Sequence, residues 1–161
     1  IAFGIIKSRK PVAGYFFMPA TGDFYYTDID GPVYRNETET ELKPFETIHR
    51  ESVLLTISRM HQEFDISSDY PGKIRSLGST IAHICYAATS SADVVLVSGA
   101  RLWDLAAGVA MLYRNGGTAR YINGDDFSVS DDLLSGCSLP LPLLLGQESS
   151  IQYFIKNIRQ R

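Results

Sequence analysis

The sequence predicts an α+β section followed by an α/β section, and three observations carry that reading. Residues 1 to 36 are short β-prone runs separated by Pro, Gly and Asp turns. From Ser52 onward, continuous apolar runs alternate with segments whose apolar residues recur at helical spacing. Between them, Glu37 to Glu51 holds seven acidic or basic side chains plus Pro44, and reads as an exposed connection.

Each element follows from its local pattern. Ile1–Ile6, Val12–Met18 and Phe24–Thr27 are β-prone and alternate with polar turns carrying Pro11 and Gly22, which describes an antiparallel meander. Asp28-Ile29-Asp30-Gly31-Pro32 is a further turn leading into Val33–Asn36. Val53–Ile57 is uninterrupted and apolar, as expected of a strand buried on both faces. Arg59–Phe64 suits a short helix, Pro71-Gly72 ends the loop after it, and Lys73–Leu77 is a short strand. Ser79–Ala92 places Ile81, Ala82, Ile84, Cys85 and Ala88 on one helical face. Asp93–Val97 is a second buried strand. Trp103–Asn115 is the strongest helix, with Leu105, Ala106, Val109, Ala110, Leu112 and Tyr113 along one stripe and Gly116-Gly117 at its end. Gly108 inside it costs about 1 kcal/mol against Ala unless close packing requires it. Thr118–Ile122 is a strand, and Ser149–Arg161 is an amphipathic closing helix. The boundary falls at residue 48: residues 1–48 are the last strands of an antiparallel sheet plus a connection, and residues 49–161 are an α/β domain.

Composition narrows the function classes. At 161 residues, with 45% apolar and 20% charged side chains, the chain is an ordinary globular protein. A core of that size buries roughly 68–70% of the unfolded surface without staples. A net charge of −3 argues against a nucleic-acid partner. No apolar run reaches the ~18 residues of a membrane span, the longest being Leu139–Leu145 with Pro140 and Pro142 inside it. Two cysteines, Cys85 and Cys137, fit a reducing cytoplasm, Cys85 as a core residue and Cys137 in a loop. The chain opens on apolar Ile1-Ala2-Phe3-Gly4 with no cationic lead-in, and so reads as the interior of a longer protein.

Few residues suggest chemistry. His49, His61 and His83 have no metal-ligand spacing, and no nucleophile–base pairing, Walker loop or GxGxxG occurs. Asp28-Ile29-Asp30-Gly31 is either an oxygen-ligand pair for a divalent cation or a turn. At Arg75-Ser76-Leu77-Gly78-Ser79-Thr80 a strand gives way to a helix, exposing N–H groups and hydroxyls that suit an anionic or polyhydroxylated ligand. The same residues equally serve as an ordinary Ser cap. Asp104, in the first turn of the strongest helix, either stabilises the helix dipole or projects a metal ligand from the end of a strand–loop–helix unit.

Taken in order, RSLGS (Arg75–Ser79), the Ala92-Asp93 strand start, WDLAAG (Trp103–Gly108) and Asn115-Gly116-Gly117 resemble the inositol monophosphatase family. The upstream meander resembles it as well, so the likeness covers essentially the whole chain. The resemblance implies a layered α/β/α/β/α sugar-phosphatase-like fold, here lacking its amino-terminal section. It implies a Mg²⁺-dependent, lithium-sensitive phosphoric monoester hydrolase acting on a small phosphorylated polyol, sugar or nucleotide. Asp104 is then the ligand of the second Mg²⁺. Gly78, Ser79 and Thr80 line the substrate pocket, and Arg101 meets a charged substrate group. Homodimers are common in the family, which makes a homodimer the expected assembly.

Two departures from the family pattern matter. The main metal motif, Asp-Pro-x-Asp-Gly-Thr, belongs just before Ile1, and Asp28-Ile29-Asp30-Gly31 aligns with a hairpin instead. No catalytic residue other than the metal ligand is therefore expected here, and these 161 residues alone should be inactive. Val97 stands where inositol-specific members carry a Glu, which weakens the case for inositol phosphate. The competing class of function is a non-catalytic relative serving as a binding or assembly module.

Overall fold

The computed structural model describes all 161 residues. β1 (Ala2–Lys7), β2 (Lys10–Met18), β3 (Asp23–Thr27), β4 (Val33–Arg35) and β5 (Thr38–Thr40) form an antiparallel meander in chain order. The β1–β2 turn is made by Ser8 and Arg9, whose φ angles are 49° and 60°. Two left-handed residues match the twist of the strands they join. Pro11, expected in that turn, lies instead in β2 opposite Ile6, where the register slips at a bulge. A bulge tolerates a residue that has no N–H to give to the ladder. β5 falls inside the stretch read as an exposed connection. Its three residues, Thr38–Thr40, are polar enough to pass for a loop, and only pairing with β4 makes them a strand.

The rest of the chain runs β6 (Val53–Thr56), α1 (Met60–Glu63), β7 (Phe64–Ile66), β8 (Lys73–Arg75), α2 (Thr80–Ala88), β9 (Val94–Val97) and α3 (Leu102–Arg114). It continues with β10 (Thr118–Tyr121), α4 (Asp131–Leu134), β11 (Leu143–Gly146), α5 (Glu148–Asn157) and β12 (Ile158–Gln160). The second sheet has the order β10-β11-β9-β6-β8. β6 is parallel to both β8 and β9, whereas β11 runs antiparallel between β9 and β10. β11 was unassigned from sequence because the prolines at 140 and 142 mask it; the strand begins just beyond them. The predicted helix over 59–64 is a single turn, since Phe64 enters β7. α2 stops at Ala88 rather than Ala92, where Ser90 takes a left-handed φ of 58°. The closing helix stops at Asn157 because Ile158 is extended and pairs with Ile66.

Burial explains the layering. In β9, Val95 and Val97 belong to the larger apolar cluster around α2 and α3, and Val94 and Leu96 to a smaller one beneath α5. β11 divides in the same way, with Leu143 and Leu145 on one side and Leu144 on the other. Each such side chain contributes roughly 1.5–3 kcal/mol on burial. The layers are therefore first sheet, α2 with α3, second sheet, α5. The outer helical layer that the resemblance adds against the first sheet is not among these residues. That sheet's outer face carries Phe3 and Ile5, 68% and 46% exposed, with Tyr26 stacked between Phe24 and Tyr34. No helix is long and apolar enough to cross a membrane.

The first sheet meets α3 along a seam of small residues. A Cβ on Gly14 would lie 2.3 Å from the Ala107 carbonyl oxygen, and one on Gly4 would lie 2.6 Å from the Ala106 Cβ. Gly14→Ala is expected to destabilise the fold by about 2 kcal/mol. Gly31→Ala, whose Cβ would meet nothing nearer than 3.6 Å, should stay within about 0.5 kcal/mol of the parent. Urea unfolding of both variants measures this, and equal midpoints would mean the seam is not tight.

Candidate active site

Two strand-to-helix junctions lie at the carboxyl ends of the parallel strands, on either side of β6, where open α/β sheets place their ligands. The first joins β8 to α2. Gly78 adopts a φ of +73°, a conformation that L side chains rarely take. Ser79 then caps α2, its Oγ accepting the Ala82 N–H at 3.4 Å. The Leu77 N–H donates to His83 Nε2 at 2.9 Å, which ties the loop to the helix one turn further on. His83 is 3% exposed, and burial holds its imidazole below the usual histidine range. Nε2 is therefore the unprotonated nitrogen that accepts this bond, and the proton sits on Nδ1.

These residues surround a cavity of about 170 Å³. Gly78, Ser79 and Thr80 line it together, as do Ser58 at the end of β6, Ser76, His83 and Val97. Ser58, Ser76 and His83 were missed from sequence. His83 stood out only as a histidine without metal-ligand spacing, Ser76 lay within the singled-out 75–80 segment without being chosen, and Ser58 carried no signal. The hydroxyls suit a polyhydroxylated group, and Val97 presents an apolar wall where a carboxylate was expected in inositol-specific relatives.

The second junction joins β9 to α3 through Gly99, whose φ is +66°. Arg101 caps the helix, and Asp104 Oδ2 accepts the Arg101 N–H at 3.2 Å. That contact places a carboxylate in the first turn, where the helix dipole favours it. The Arg101 guanidinium lies 5.1 Å from the centre of the exposed Trp103 ring. Neither Arg101 nor Asp104 lines the small cavity; both sit at the end of β9, separated from β8 by β6.

A Mg²⁺ ion held by protein needs several oxygen ligands. No group of three or more His, Cys, Asp or Glu side chains that could hold a metal occurs in the structure. Asp104 is thus one carboxylate without companions, and these residues do not make a complete Mg²⁺ site. Asp28 and Asp30 lie at the turn before β4. Asp28 accepts the Tyr15 hydroxyl, and the Thr27 hydroxyl closes the turn onto the Gly31 carbonyl at 3.0 Å. Cys85 is buried with its thiol pushed up by desolvation, and Cys137 is exposed.

Comparison with known proteins bears on this geometry. The sequence model of the inositol monophosphatase family matches residues 1–152. The inositol-1-monophosphatase ImpA of Mycolicibacterium smegmatis is 27% identical over 146 residues, 80% of this chain and 51% of that protein. The fructose-1,6-bisphosphatase/inositol-1-monophosphatase of Archaeoglobus fulgidus is 30% identical over 124 residues, 74% of this chain and 45% of that protein. The chain thus spans about half the length of these relatives. The structure of inositol monophosphatase II from Staphylococcus aureus MSSA476 superposes with a TM-score of 0.79 at 21% identity, covering 96% of this chain and 57% of that one.

The His83 contact sets a pH dependence. Its imidazole binds a proton more readily in the unfolded chain, near pH 6.5, than in the fold, so stability rises with pH. The contribution is intact above about pH 6.5 and declines as pH falls toward the lower folded value. The urea midpoint of the parent should therefore drop between about pH 7 and 5, and His83→Gln should flatten that drop. An unchanged slope in the variant would show that another group titrates.

Proposed function

Because the chain belongs to the inositol monophosphatase family, we propose that it is the part of a phosphoric monoester hydrolase that receives the substrate's hydroxyl-bearing portion and supplies one metal ligand. The observation that carries this reading is that two helix N-termini stand at the same, carboxyl-terminal edge of the parallel strands, one on either side of β6. One presents the Gly78–Thr80 pocket and the other presents Asp104. Phosphate ester hydrolysis depends on charge neutralisation and an aligned water more than on a protein nucleophile. When bound by a complete set of carboxylates, Mg²⁺ supplies that neutralisation. Asp104 would be one of those ligands, and Arg101 would meet a charged group at the mouth.

The residues here have substrate-holding roles. The Ser79 cap and the His83 contact keep the loop from 76 to 80 in one shape, so its hydroxyls and amides face the substrate without reorganising. A small phosphorylated polyol, sugar or nucleotide is the substrate class. SaIMPase-II, alike in fold at 19% identity, has been solved with inositol monophosphate and with 2′AMP bound. Val97 in the cavity wall favours a substrate other than inositol phosphate. A homodimer in the cytoplasm belongs to the same proposal.

The test uses the full-length protein that contains these residues. With Mg²⁺ it should release phosphate from some members of a panel of sugar, polyol and nucleotide monophosphates. Asp104→Asn should lower kcat by at least about a hundredfold, equivalent to about 2.7 kcal/mol, while lowering the melting temperature by no more than about 4 °C, the cost of a neutralised helix cap. No phosphate release from any compound would favour the non-catalytic module, and full turnover in Asp104→Asn would remove that residue from the metal site.

A further inference from the structure

The largest cavity is not at the candidate active site. It measures about 610 Å³ and lies between the Ser8-Arg9 turn, the end of α3 and residues 127–130. Tyr113 is nine residues beyond Asp104 on α3, about 13 Å further along the axis. A second groove of about 280 Å³ adjoins it, sharing Lys10, Pro11 and Tyr113 and adding Arg114. The larger cavity falls within the size range of small-molecule pockets.

The lining combines charge with rings. Arg9 and Lys10 line the larger cavity and Lys10 and Arg114 the adjoining groove, in a chain whose net charge is −3, and no acidic side chain lines either. Arg9 is partly neutralised from outside by Asp131, 2.7 Å away, and also donates to the Val129 carbonyl at 3.4 Å. Lys10 and Arg114 form no ion pair; the Arg114 guanidinium donates to the Ile29 carbonyl. Tyr113 and Phe127 contribute ring faces, with Phe127 held edge-on by Tyr121 at 6.1 Å. The hydroxyls of Ser8, Ser128 and Tyr113 make no hydrogen bond within the chain, whereas Ser130 is spent capping α4. Burial, with Asp126 nearby, pushes the Tyr113 phenol up to about 12, so it stays a neutral donor at physiological pH.

From these observations we infer that the cavity together with its adjoining groove is a second ligand site, separate from the Asp104 end, for a small anion that carries a planar ring. The anionic group meets Lys10 and Arg114, the free hydroxyls of Tyr113 and Ser128 donate to it, and the ring lies against Tyr113 and Phe127. The inference does not depend on the hydrolase reading, because none of these residues belongs to the candidate active site.

Adenosine 5′-monophosphate is a suitable probe, titrated calorimetrically into the full-length Asp104→Asn protein with metals chelated. It should bind at least tenfold more tightly than adenosine or inorganic phosphate. Lys10→Glu and Arg114→Gln, both at exposed positions, should each weaken it at least fivefold without lowering the melting temperature. In heteronuclear spectra, the amides of residues 8–10 and 127–130 should shift on titration. Absence of binding, equal binding of phosphate alone, or binding indifferent to both substitutions with shifts confined to residues 76–83 would each overturn the inference.

Discussion

Everything in this fold depends on how closely α3 approaches its neighbours. On one side, Gly4 and Gly14 let the first sheet rest almost directly on the backbone at Ala106 and Ala107. On the other, a Cβ at Gly108 would fall 2.7 Å from Ile84, so α2 and α3 touch at a glycine. A helix sandwiched between two sheets and tight against a second helix has no room to shift without opening cavities, since interiors pack to crystal-like density. The mid-helix glycine, unfavourable by propensity, is thus required by contact.

That constraint fixes the two junctions. α2 and α3 begin at the carboxyl ends of β8 and β9 because the strands run parallel through the sheet and the helices pack back across one face of it. Their first turns consequently open on the same edge of the sheet, and each needs its orphan N–H groups satisfied. Ser79 and Asp104 both do this within the chain. A capping residue at such a position can also face a ligand, so the capping role of both residues is compatible with the binding role proposed for them.

The legible parts of the fold were those in which one face of an element is apolar along its own length. α3, β6 and β9 are of this kind, and the structure has them within a residue or two of where periodicity put them. The short strands β5, β7, β11 and β12 were not: β5 is polar throughout, prolines precede β11, and β7 and β12 each continue directly from a helix. Ile158 illustrates this: it completes a helical stripe in sequence yet sits extended beside Ile66. At the site, Gly78, Ser79 and Thr80 could be read as a group because they are contiguous. Ser58 joins them only because β6 lies next to β8, a neighbourhood no local pattern records.

By itself the sequence determined the class of the fold, the two strand–helix junctions and, through the order of RSLGS and WDLAAG, the family. These are local matters: apolar periodicity, a glycine before a cap, a carboxylate in a first turn. Tertiary structure decided which residues share a cavity, that β11 runs antiparallel between β9 and β10, and that Arg9, Lys10 and Arg114 line two adjoining cavities. Such groupings join positions a hundred residues apart, and they exist only after burial has forced distant segments into contact.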